Sequence, residues 1–289
     1  MRWIGKKAGQ HWPCAWKHFF ALSRFAGLFL FHLRKKKAEK MIIKLNFILV
    51  VGYYLTLKLG ENSRLKKQIM SQYINLHTHR KPRVTEEIAI RNGFLKTIDF
   101  SKVNYPVSIG LHPWHVHKTD LNWVLQVIEQ NQSKIIAIGE CGLDRAIKTP
   151  IEPQMLAFEK QINLAEQYHL PVIVHCVKAY ADFAAFAKQH SQVNFVLHGF
   201  SGNDETLQQL LTFKNVYFSL GKYLFNPQSN ASLIFNKIPL NRLFLETDTT
   251  PYLINQIYEK ASQIIEIEET VLKNQIFSNF AILFKNNNF

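Results

Sequence analysis

Eight short apolar, β-prone runs, separated by longer stretches with helical periodicity, occupy the chain from residue 71 onward. They are YINLH (73–77), a weaker EIAIR (87–91), VSIGL (107–111), IIAIGE (135–140), VIVH (172–175), NFVLH (194–198), VYFSL (216–220) and LFLE (243–246). Helix-like segments lie between them at 119–131, 152–169, 179–190, 203–213 and 228–237, and a further one at 255–284 is expected to break near 266–268. Such alternation is the pattern of parallel βα units, and eight of them close most naturally into a (β/α)8 barrel, an α/β fold of the TIM type. The 219 residues of 71–289 are few for such a barrel. The shortening is expected at 80–106, where one weak strand and little helix fit.

Residues 1–70 read differently. They hold 15 Lys/Arg and 2 Asp/Glu of the chain's 35 and 21, so the net charge of +14 is +13 in this leader and +1 in 71–289. The total therefore does not argue for a basic nucleic-acid-binding face on the rest of the chain. The apolar run LNFILVVGYYLTL is uncharged for only thirteen residues between Lys44 and Lys58, short of the ~20 that a spanning helix needs. A secretory signal fits poorly too, because the apolar runs lie far from residue 1. The leader is expected to be poorly ordered and outside the fold, with Met70 as the working start. The alternatives are membrane contact through its Phe-rich stretches, and targeting or partner binding; no stable membrane contact is expected for 71–289. Three cysteines, Cys14, Cys141 and Cys176, without Cys-x-x-Cys spacing fit a reducing, cytoplasmic setting rather than a disulfide framework.

Chemistry gathers at strand ends. His77 and His79 are two apart, so in a strand both imidazoles share a face. Glu140, His175, His198 and Asp248 close or follow four later runs. Any one of them alone is an ordinary hydrogen-bonded loop residue or helix cap. Together, in a parallel barrel, they ring one rim, where four histidines and two carboxylates would be costly to bury unless they held metal. Six ligands exceed the needs of one tetrahedral ion, and a carboxylate such as Glu140 can bridge two. Asp248 is placed both to ligate and to take the proton of an activated water. Cys141 and Cys176 flank proposed ligands but read as small buried thiols, and Trp114, His115 and His117 as loop residues near the mouth. Glu246 either supports the metal shell or caps backbone. No Gly-rich phosphate loop or serine-nucleophile elbow occurs, so no organic cofactor is expected.

The series HTH, GLHPW, AIGECGLD, QMLAFEKQINLAEQYHLPVIVH, LHGFSG and ETDTTPYL resembles, in order and across nearly all of 71–289, the TatD family of metal-dependent hydrolases and deoxyribonucleases. The resemblance implies a TIM-barrel metallohydrolase with His77, His79, Glu140, His175, His198 and Asp248 as ligands of two divalent ions (Zn, Mn, Mg or Fe). It also implies that His112 reaches the substrate or its phosphate. Where the family usually reads His-Ser-Arg-Asp-Ala, this chain reads His175-Cys176-Val177-Lys178-Ala179, so a phosphate contact is lost or moves to Lys178. Asn75 replaces a usual acidic residue, and ETDTTPYL carries an extra Thr. The expected activity is cleavage of phosphoesters, foremost in DNA, by Asp248 and Glu140 acting on water. The alternatives are a hydrolase of small esters, lactones or amides, and a non-enzymatic metal-containing binding module.

Overall fold

The computed structural model divides the chain into residues 1–62 and 63–289, and describes residues 72–284, all in the second unit. The leader and Cys14 lie outside the described residues. Eight parallel strands run in sequence order as one sheet: β1 (Tyr73–Thr78), β2 (Glu87–Asn92), β3 (Val107–Ile109), β4 (Ala137–Asp144), β5 (Val172–Val177), β6 (Phe195–Leu197), β7 (Val216–Leu220) and β8 (Leu243–Leu245). The ends meet through a parallel bridge between Thr78 and Asp248, in which Asp248 N donates to His77 O at 2.9 Å. The barrel thus closes at the very residues expected to bind metal.

Among the described residues, seven α-helices cover it: α1 (Leu121–Gln130), α2 (Ile151–Tyr168), α3 (Tyr180–Gln189), α4 (Asp204–Leu211), α5 (Asn230–Ile234), α6 (Ile254–Ile265) and α7 (Glu269–Leu283). Their ends follow local chemistry. Asp120 and Asn203 cap α1 and α4 by accepting from Asn122 N and Thr206 N. The break foreseen at 266–268 falls where Glu266, at φ 54°, ends α6 and its N–H donates to Ser262 O. Between β1 and β3 the only helical piece among the described residues is a 3-10 turn, Phe100–Lys102, which is where the barrel is shortened. With helices outside and packed side chains inside, strands such as β4 are buried along their whole length. Fully buried Phe158, Phe183, Phe195, Phe218, Phe244 and Tyr258 fill the core.

Two departures from the expected boundaries matter. β4 does not end at Glu140 but runs on to Asp144. Against β5, Ile138 pairs with Val172 and Cys141 with Val174, so β4 spends one extra residue there, a bulge that re-aims Glu140. Gly139 and Gly142, at φ 140° and 143°, make it possible: a Cβ would stand 2.4 Å from Ile173 O in one case and 2.1 Å from His175 O in the other. β5 likewise extends past His175 to Val177.

Candidate metal centre

Glu140 is the hub. Its Oε1 lies 2.8 Å from His198 Nε2, 3.1 Å from His175 Nδ1 and 3.1 Å from His112 Nε2. Its Oε2 lies 3.3 Å from His77 Nε2 and 3.6 Å from His79 Nε2. Asp248 Oδ1 stands 3.5 Å from His79 Nε2 and 3.9 Å from His77 Nε2. All six residues put forward as ligands from the sequence therefore meet, although His77 and Asp248 are 171 positions apart. His112, expected as a substrate contact, also stands within this cluster and not only on the loop above it. Three overlapping groups have ligand atoms close enough to share an ion: His77, His79 and Asp248; His77, Glu140 and His198; and His112, Glu140 and His175.

The surroundings fix these side chains. β1 ends between His77 and His79, whose rings stand 5.1 Å apart and nearly perpendicular. Buried Asp144 at the end of β4 accepts from His175 Nε2 at 3.1 Å and from Trp114 Nε1 at 2.8 Å. Glu246 accepts from Gly199 N at 2.8 Å and sits 3.4 Å from His198 Nδ1, so it both orients a histidine and caps backbone. Asn92 on β2 accepts from Glu140 N at 3.0 Å. Asn75, in place of an acidic residue, ties β1 to the segment after β8 by donating to Thr247 Oγ1 and accepting from Thr247 N. Asp248 itself sits at φ 48°, a left-handed conformation that Asp tolerates better than most residues.

Charge in the cluster is set by mutual contact. Burial opposes ionisation of Glu140, but the His198 charge and the close polar contacts with His112, His175 and His198 outweigh it and hold the carboxyl well below its usual range. Burial likewise disfavours an imidazolium at His198, yet Glu140 and then Glu246 push its pKa well above the ordinary value. At His112 burial prevails and lowers it.

This donor set fits divalent cations. His77 is fully buried and neither ring nitrogen has a hydrogen-bond partner, even though Nε2 is close to Glu140. Where His175 Nε2 donates to Asp144, the lone pair on Nδ1 faces the lone pairs of Glu140 Oε1. Acceptors facing acceptors in a buried site repel unless a proton or a cation lies between them. Donation of the second ring nitrogen to a carboxylate, seen at His175 and approached at His198, is the arrangement that orients metal-binding imidazoles.

Other residues fall outside the cluster. Lys178 is exposed just after β5 at φ 52°, and Val177 ends that strand. Beside Val177, Arg145 stands at the same rim, its N donating to Val177 O at 3.0 Å and its guanidinium held by Asp182 of α3 at 2.7 and 2.9 Å. His115 and His117 are exposed, the latter 3.2 Å from Thr149 Oγ1. Cys141 and Cys176 are buried free thiols whose pKa values burial raises, as their packing role requires. Asp144 was not singled out from the sequence, although it closes the AIGECGLD motif; Asn92 and Arg145 carry no local signal in the sequence. Among the described residues no helix is long and apolar enough to cross a membrane.

Comparison with known proteins agrees with this architecture. Over 156 residues the chain is 33% identical to the protein named uncharacterized metal-dependent hydrolase YjjV from Escherichia coli (strain K12), covering 51% of this chain and 59% of that protein. Over 152 residues it is 34% identical to a 3'-5' ssDNA/RNA exonuclease TatD from Edwardsiella piscicida, covering 50% and 57% respectively. The matches thus span less than two thirds of those relatives. The crystal structure of the YJJV TatD homolog from Escherichia coli K12 shares the fold with a TM-score of 0.65 at 22% identity, over 75% of this chain and 99% of the other. A hydrolase TatD family protein from Entamoeba histolytica does so with 0.61 at 20% identity, over 75% and 99%. The profile described as TatD related DNase matches residues 62–285, and the chain belongs to that family.

Proposed function

We propose that this protein is a metal-dependent phosphoesterase whose substrate is DNA or RNA. The single observation that carries the reading is the Glu140 carboxylate with imidazoles against both oxygens, His112, His175 and His198 at Oε1 and His77 and His79 at Oε2. His175 and His198 near Oε1, and His77 and His79 near Oε2 with Asp248 beside them, offer donors for two divalent cations, while His112 keeps its proton for hydrogen bonding. Cations bound there supply Lewis acidity and a water of lowered pKa.

The chain's own residues do the rest. Asp248 points Oδ1 at the histidines and leaves Oδ2 toward the open mouth, 3.8 Å from Lys222 Nζ. It accepts the proton of the attacking water there as the water oxygen bonds to phosphorus and the P–O bond to the leaving oxygen breaks, and that proton passes on through solvent to the leaving oxygen, which yields a phosphomonoester and a free hydroxyl. Glu140 holds the imidazoles in register and stays ionised. Trp114 N donates to His112 Nδ1 at 3.2 Å, so His112 carries its proton on Nε2, toward Glu140 and the phosphate position. Lys178 and Lys222 supply positive charge at the rim for the phosphate oxygens, in place of the arginine that Val177 displaces. The cytoplasm is the proposed compartment, on the strength of the two unpaired buried thiols.

The test is cleavage of a single-stranded oligonucleotide by metal-loaded protein, with elemental analysis of the same sample. Loss of cleavage in EDTA and in Asp248→Asn is expected. Turnover of small esters or lactones, with none of DNA or RNA under any divalent metal, overturns the reading in favour of a small-molecule hydrolase.

A further inference from the structure

Two large aromatic side chains face solvent beside histidines of the Glu140 cluster. Phe94, 61% exposed, follows β2, and its ring centroid lies 5.8 Å from that of His79, on the Oε2 side. Trp114, 54% exposed, lies in the 3-10 turn after β3, 5.0 Å from the His112 ring and 6.2 Å from that of His175, on the Oε1 side. Trp114 is not loosely placed. Its indole N–H donates to Asp144 Oδ2, the same buried oxygen that meets His175 Nε2, so one edge of the ring is fixed while much of its surface stays open. Phe94 has no polar edge and can offer only an apolar face.

A pair of exposed rings beside a polar, histidine-lined centre suits a ligand that combines flat π-faces with anionic linkages. Unpaired nucleobases on a phosphodiester backbone have that composition, and aromatic side chains stack on them with little regard to sequence. Bases inside a duplex have their faces covered by their neighbours and cannot use the platforms.

We infer that Phe94, beside His79, and Trp114, beside His112 and His175, are stacking platforms for nucleobases of a single-stranded nucleic acid. This rests on the phosphoesterase reading and makes its substrate class specific. The extra binding is separate from the chemistry at the cleaved bond, so it is visible in KM against kcat.

The experiment compares the full chain, loaded with Mn²⁺, on an oligo-dT strand and on a strand of equal length with abasic internal sites. KM is expected to be lower on the base-bearing strand by roughly 5- to 150-fold per stacked base. Phe94→Ala and Trp114→Ala each shrink that ratio, Phe94→Tyr and Trp114→Phe preserve it, and Phe94→Leu does not restore it. Tryptophan emission gives a second readout on a cleavage-resistant phosphorothioate dT strand, with quenching in the natural protein that is lost in Trp114→Phe and absent with abasic strand. Quenching without cleavage of any strand removes the phosphoesterase reading and leaves the platforms standing. Equal KM on both strands, or a leucine as effective as tyrosine, overturns the platforms and leaves the phosphoesterase. Neither quenching nor cleavage overturns both.

Discussion

Glu140 Oε1 lies 2.8 Å from His198 Nε2, the shortest of the five approaches that imidazoles make to this buried carboxylate among the described residues. Against burial at both groups, each partner stabilises the charged form of the other, which lowers the pKa of Glu140 and raises that of His198. A cation and a proton therefore compete for the same lone pair on His198, and the pair links metal binding to pH.

The stability of metal-free protein should pass through a maximum near pH 6.5. His198 has a folded pKa raised above its ordinary 6.5, so its contribution is complete below that value and is lost as pH rises toward the folded pKa. His112 is lowered from 6.5, so it removes stability as pH falls below that point. Glu140 adds a further loss only below its ordinary 4.5, as pH falls toward its depressed folded value. Melting temperatures in EDTA from pH 4 to 9 check this. With divalent metal present the profile should shift to higher pH, because cations displace protons from the imidazoles; a metal-free Tm that climbs steadily from pH 6.5 to 8.5 contradicts the assignment.

Replacing Glu140 by Gln should deplete both halves of the centre at once. One of the two oxygens becomes an NH₂ donor facing either His77 and His79 or the other three histidines, and the negative charge shared between the groups disappears. Metal content per chain by elemental analysis is expected to fall by more than half, with turnover reduced at least about 100-fold. Asp248→Asn touches only the His77 and His79 side and should retain more metal than Glu140→Gln. Equal metal content in the two variants argues against a bridging role for Glu140.

Much of this site was open to sequence reasoning, for a topological reason. In a parallel barrel the C-terminal strand ends share one rim, so His77, His79, His175, His198 and Asp248 could be gathered without knowing any distance. β1, β7 and the α6–α7 break were equally legible, since apolar runs and the helix stop near Glu266 are local signals. What stayed hidden depends on contacts across strands. The bulge that re-aims Glu140 and carries β4 on to Asp144 exists because Gly139 and Gly142 press against β5 backbone, and nothing in GECG alone says which strand lies there. Asn92 holds Glu140 from a strand whose pattern was weak, and Arg145 reaches Asp182 across 37 residues.

Asp144→Asn should loosen His175 without removing a ligand. The carboxylate accepts from His175 Nε2 and Trp114 Nε1 and also from Ala146 N. An amide keeps the volume but can present its NH₂ to the imidazole and lose the ring orientation. Losses of about 10- to 100-fold in metal affinity or activity are expected, measured by metal titration beside kinetics, with Tm little changed. Glu246→Gln should behave in the same way through His198. If both variants bind metal as the natural protein does, these carboxylates do not position the histidines.

Gly142→Ala tests whether the backbone of β4 shapes the site. The glycine has φ 143°, where L side chains are rarely found, and an added Cβ would stand 2.1 Å from His175 O, a backbone atom that cannot rotate away. Relief requires β4 and β5 to separate at Gly142 and His175, which pair directly in the sheet. The expected cost is at least about 3 kcal/mol, read from denaturant unfolding, since backbone strain and a buried clash act together. Because the displaced strand carries His175 and its neighbour carries Glu140 and Asp144, metal affinity should fall with stability. By contrast, Gly199→Ala places its Cβ 3.7 Å from its nearest neighbour, Glu246 Oε1, and meets only the strain of φ 55°, so it should cost about 1 kcal/mol. A smaller loss at Gly142 than at Gly199 would show that β4 and β5 can part here without disturbing the centre.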